Sequence, residues 1–165
     1  MTQIISGIAQ GAPVWVWPLL VGLVVLGLLS TRDRAVPRQI FYALPFMGLI
    51  TVNSLVALPQ PQFVWPSVII GFALGAFVAY GLQSRWIEGR DGNRLRVSGE
   101  WLTFAVLMMI FWSNFVGGTL QAIAPGAYQS PEFLIPFAFV LALGSGSFLG
   151  RSLRALRYKG AQVLD

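Results

Sequence analysis

Long apolar runs alternate with short polar ones along the whole chain. Five runs are long enough to matter, at 14–30, 40–58, 65–82, 101–123 and 133–150. Crossing the hydrocarbon of a bilayer takes roughly 20 mostly apolar residues. Within that slab a single segment can satisfy its own backbone groups only as a helix. The pattern therefore predicts an all-α polytopic membrane protein, a bundle of five transmembrane helices forming one domain over residues 1–165. Aromatic residues mark the edges: Trp15, Trp17, Phe63 and Trp65 at one interface, Trp86 and Trp101 at the other. Only Trp112 lies deep. Pro45 and Pro136 fall inside spans, where each is expected to kink its helix.

Between the third and fourth spans lies SRWIEGRDGNRLRVSG, the one sizeable polar connection. Asp91-Gly92 suits a tight turn, and Trp86, Ile87, Leu95 and Val97 flank it, so a small β-hairpin is one expectation and a solvated basic loop the other. Ser98 is expected to cap the fourth helix, with Glu100 in its first turn facing the positive end of the helix dipole.

Composition agrees with the pattern. Apolar residues make up 56% of the chain and charged ones 10%, against about 25% charged in a soluble domain. A chain of 165 residues has too little interior to hide that surplus. Cysteine and histidine are both absent. Disulfides, thiolate chemistry and iron–sulfur clusters are thereby excluded, and the commonest metal and haem ligand is missing. No cofactor is expected.

Charge sets the orientation. All 11 Lys and Arg fall in the first connection, in the third, or in the basic tail at 151–165. These lie on one side of the predicted bundle, which the positive-inside rule makes the cytoplasm. The expected topology is N-terminus out and C-terminus in. The leader MTQIISGIAQGAP has no Lys or Arg, so the first span is not expected to be a cleaved signal peptide. The basic residues are spread over short loops without a recognisable module, and nucleic acid is not an expected partner.

Three groups of residues are candidates for function. Thr51, Asn53, Ser113 and Asn114 form a polar intramembrane cluster. Asn53 and Asn114 each lie 14 residues beyond Gln39 and Glu100, where their spans begin, which is roughly 21 Å into the helix. Equal depth would let the two amides meet as interhelical glue, or line a small polar cavity that Gly117, Gly118, Thr119 and Gln121 extend outward. Gly71, Gly75 and Ala79 form a small-residue ridge on the third span, as do Ala138, Ala142, Gly146 and Gly150 on the fifth. Such ridges allow close helix approach, within one bundle or in a homodimer through the fifth helix. Arg151, Arg154 and Arg157 are spaced to meet anionic headgroups.

No ionisable residue lies well inside any span, which argues against ion-coupled transport. Ser113 has no base candidate in its span, and the carboxylates sit at the edges, so an enzyme is not expected. The order PVWVWPLLVGLVVLGLLSTRDRAVPR, DGNRLRVSGEW, IFWSNFVGG and a Gly-rich last span resembles a family of small bacterial inner-membrane proteins of unknown function. A related group carries a name linked to cytochrome c biogenesis. Glu100 departs from the small or polar residue usual before that Trp. The resemblance implies a bacterial inner-membrane location and no activity. A haem role would have only the weak ligands Met47, Met108 and Met109. The expected function is a non-enzymatic membrane protein packing as a homo-oligomer or as an accessory subunit of a larger complex, in contact with membrane lipids. The alternative is an uncoupled pore or carrier for a small neutral solute near Asn53 and Asn114.

Overall fold

A computed structural model describes residues 13–37, 39–43, 46, 55–56, 58, 61–91 and 94–158. The chain is mostly helical. Helix α1 covers Val16–Ser30. Pro18 sits in its first turn, where the missing N–H would have found no partner in any case. Helix α2 runs Pro61–Trp86, α3 Leu102–Ile123, α4 is the single turn Pro125–Tyr128, and α5 runs Pro131–Arg157.

Three of these, α2, α3 and α5, are long and apolar enough to cross a membrane. At 15 residues α1 is shorter, about 22 Å at the usual rise. The second expected span, 40–58, falls mostly outside the described residues, Pro45 and Met47 among them. By contrast α5 has 27 residues and is about 40 Å long. That is longer than the hydrocarbon slab is thick, and Arg151, Arg154 and Arg157 lie in its last turns.

The hairpin expectation understated the polar connection. Strands β1 (Arg34–Pro37), β2 (Ile87–Asp91) and β3 (Arg94–Val97) form one antiparallel sheet in the order β1-β3-β2. Arg34 pairs with Val97 and Pro37 with Arg94 on one side of β3, Ile87 with Val97 and Asp91 with Arg94 on the other. An irregularity between Ile87 and Gly89 accommodates Glu88. The pleat sends Leu95 and Val97 inward and Arg94 and Arg96 outward. Val36, Ile87, Leu95 and Val97 then bury against Phe41 and Ala155, with Trp86, Leu156 and Tyr158 around them. The sheet thus caps the end of α5.

The start of α3 also differs from expectation. Its N-cap is Trp101, without a side-chain bond. The Ser98 N–H instead donates to the Trp86 carbonyl at 2.8 Å, closing the hairpin. Glu100 precedes the helix and turns into the protein.

Small residues decide the helix packing. The most extensive pair is α2 with α5, and they run parallel. A Cβ on Gly71 would stand 2.5 Å from the Phe139 carbonyl oxygen; on Gly75, Gly146 and Gly150 it would press closer still on the carbonyls of Leu143, Phe72 and Ala76. Ala79, Ala138 and Ala142 are almost fully buried, and Leu134 and Leu141 fill the core beside Val64, Val68, Leu55 and Leu58. The two ridges read from the sequence are therefore each other's partners. The fifth-helix ridge, one candidate for a homodimer contact, is occupied by α2 of the same chain. Helix α3 runs antiparallel to α5, with Gly117 against Phe137 and Ile110 against Gly144. It is antiparallel to α1 as well, with Phe104 against Gly27.

Candidate functional site

Among the described residues the ends of α1, α2 and α5 and the start of α3 come together beside the sheet, and a buried charged cluster stands at that junction. Arg151 projects from α5 toward the start of α3. Its Nη2 makes an ion pair with Glu100 Oε1. Its Nη1 donates to Thr103 Oγ1 at 2.6 Å and its Nε to Gln83 Oε1, on α2, at 2.9 Å. Thr103 Oγ1 in turn donates to Glu100 Oε1 at 2.5 Å. Relative exposure is 7% for Arg151, 4% for Glu100 and 0% for Gln83. Helix α1 joins through its last residue: the Glu100 N–H donates to the Ser30 carbonyl at 2.9 Å, and Ser30 Oγ reaches the Glu100 carbonyl at 3.3 Å. Gly99 donates its N–H to Asp33 Oδ1 at 2.7 Å and lies so close to the Thr31 carbonyl that no Cβ fits.

An ion pair shut away from solvent is held by its hydrogen bonds. Taking two charges out of water is costly, and only good geometry with supporting donors offsets it. The guanidinium is served by three acceptors, two at the start of α3 and one on α2, while Gln83 Nε2 and Glu100 Oε2 are buried without a partner. The cluster ties α2, α3, α5 and, through Ser30, α1 into one unit.

Arg151 thus parts company with Arg154 and Arg157, with which the sequence grouped it as a headgroup-binding cation. Ser152, beside it, is also buried and bonds the Phe41 carbonyl. Arg154 lies over the Tyr80 ring, 5.2 Å from its centroid, and donates from Nη1 to the phenol oxygen at 3.5 Å. Arg157 flanks the same phenol and is exposed.

The polar cluster of the fourth span is only partly in view. Thr51 and Asn53 lie outside the described residues. Ser113 is half-buried, whereas Asn114 is exposed and donates from Nδ2 to the Ile110 carbonyl of its own helix at 2.8 Å. Gly118 and Gln121, one and two turns on, are exposed too, and nothing stands within 4 Å of a Cβ placed on Gly118. At 100° per residue these three share a face of α3 opposite Trp112, Val116 and Ile123, which are 51%, 50% and 73% exposed. Among the described residues no three of His, Asp and Glu gather as metal ligands.

Gln83, Thr103 and the pairing of Glu100 with Arg151 were missed in the sequence. One signal was present. Gln83 and Arg151 end their spans and Glu100 begins its own, so all three stand at one depth.

Comparison of the chain with protein-family models, curated proteins and solved structures finds no match.

Proposed function

We propose that this chain is a non-enzymatic integral protein of the bacterial inner membrane, with five spans, N-terminus out and C-terminus in. It assembles with a further transmembrane helix, from a second copy or a larger complex, through the outer half of α3. The observation that carries this reading is the exposed Asn114, near the middle of a 22-residue apolar helix. Its Nδ2 bonds the Ile110 carbonyl of its own helix, which leaves the amide oxygen to face hydrocarbon, and an amide or hydroxyl donor on a neighbouring helix removes the cost of that unmatched acceptor. The glycine ridges offer no such surface, because they are spent within the chain. Segregation of all 11 basic residues supports the orientation, and the alternating directions of α1, α3 and α5 agree with it. The closed state of Glu100 supports the non-enzymatic reading.

The chain has no cysteine of its own, so a cysteine at Asn114 gives a clean test in native membranes. Oxidation should yield a disulfide dimer, or a photo-crosslinker at that position an adduct with another membrane protein. Monomer alone at both Asn114 and Gly118 would reject assembly through this face. Tags at the two termini should report opposite compartments.

One observation favours a second reading. Asn114, Gly118 and Gln121 make a continuous polar strip with open space at Gly118, as an uncoupled pore or carrier for a small neutral solute would need. Proteoliposomes showing solute flux that N114L abolishes would select it.

A further inference from the structure

We propose that Tyr80, Arg154 and Arg157, where the parallel helices α2 and α5 leave the membrane, form a site for the phosphodiester headgroup of an anionic phospholipid. The two cations project from one face of α5, three residues apart. The Arg154 guanidinium lies over the Tyr80 ring, 5.2 Å from the centroid, and its Nη1 donates to the phenol oxygen at 3.5 Å. Arg157 closes on the same phenol from the next turn.

What this arrangement lacks is an anion. Among the described residues the one ion pair is Arg151 with Glu100. That carboxylate is buried against Arg151 and makes no ion pair with Arg154. Arg154 Nε is buried and finds no acceptor. A partly buried guanidinium without a counter-charge is a fork of donors waiting for a doubly accepting group, which phosphate supplies. The surroundings select a lipid over a free ion. Phe77, nearly one turn toward the membrane centre from Tyr80 on the same helix, is 79% exposed and offers an acyl chain an apolar surface. Basic pockets between helices at the cytoplasmic face are where headgroups of this class dock.

The inference rests on the membrane reading and the orientation proposed above. The full chain, delipidated in mild detergent, would be titrated with short-chain phosphatidylglycerol, with phosphatidylcholine and with inorganic phosphate, and the adducts counted by native mass spectrometry. One phosphatidylglycerol should bind in preference to phosphatidylcholine, undisturbed by millimolar phosphate. R154Q/R157Q should weaken it at least tenfold, each lost cation near the surface being worth about fivefold. R94Q/R96Q removes the same charge from the exposed side of β3 and should leave binding unchanged. R154K and Y80F keep size and fold; the first keeps the charge without the fork and should weaken binding severalfold. Equal losses in the two double variants, or no loss in R154K and R154Q/R157Q, would overturn the site. Displacement of the lipid by phosphate would assign it to a free ion instead. Absence of binding with terminal tags on opposite sides rejects the site alone, whereas tags on one side reject the orientation beneath it.

Discussion

Replacing Gly71 by Ala tests the central claim about packing, that α2 and α5 touch backbone to backbone. A new Cβ at Gly71 would stand 2.5 Å from the Phe139 carbonyl oxygen and 3.1 Å from its ring, where ordinary contact begins at 3.4 Å. The obstacle is main chain, so it cannot rotate away, and the helices must part by nearly 0.9 Å to restore contact with the oxygen. Overpacking of this kind costs about 1–3 kcal/mol. Against it stands the gain from replacing Gly by Ala inside a helix, about 0.5–1 kcal/mol. The net expectation is a loss of about 1–2 kcal/mol, or a fall in Tm of roughly 2–8 °C for a chain of this size. Gly81, on the same helix, has nothing within 4 Å of its would-be Cβ. There only the helix gain operates, so G81A should match or exceed the parent. Thermal unfolding of both variants in one detergent, followed by far-UV circular dichroism, reads the difference in sign. If G71A proves as stable as G81A, the helices are not in contact there and the packing argument fails.

Other expectations follow from the junction and the membrane surface. R151A strands the buried Glu100 carboxylate and should lower stability by about 3–5 kcal/mol, while the double replacement R151L/E100L should recover much of it; a double-mutant cycle of unfolding midpoints measures the coupling. Leu95 is 1% exposed at the centre of the sheet, so L95A should cost about 2–5 kcal/mol and open the hairpin to trypsin at Arg94 and Arg96. Trp112 is 51% exposed and Trp101 66%, yet they differ in depth. In single-tryptophan variants, lipids brominated deep in the acyl chain should quench Trp112 more than Trp101.

Much of this architecture could be read from hydropathy, because lipid imposes a simple rule on every residue of a span. Where a helix continues past the hydrocarbon the rule lapses, which is why α2 begins at Pro61 and ends at Trp86, four residues outside the predicted limits on each side. The β2–β3 hairpin was legible through Asp91-Gly92 and the alternation of Arg94 to Val97, both local signals. Strand β1 was not, since Arg34–Pro37 is four residues ending in proline and owes its form to a partner some sixty positions away. The small-residue ridges announced close approach without naming the neighbour, for a stripe of glycine fits any backbone. Glu100 was misplaced because capping and ion pairing both call for a carboxylate at that level, and only Arg151, Thr103 and Gln83 arriving from elsewhere distinguish them. The meeting of Asn53 with Asn114 lies outside the described residues.

The strand order β1-β3-β2 has a consequence for biosynthesis. The central strand is the last of the three to leave the ribosome, so β1 must wait, unpaired, while two hydrophobic segments and the first arm of the hairpin are made. Only when Val97 emerges can the sheet zip shut, just before the helix that meets α1 follows it out. The nascent chain therefore keeps its opening segment untethered until the moment its neighbour is ready, and a pause placed just after Val97 would lengthen that interval without altering the finished protein.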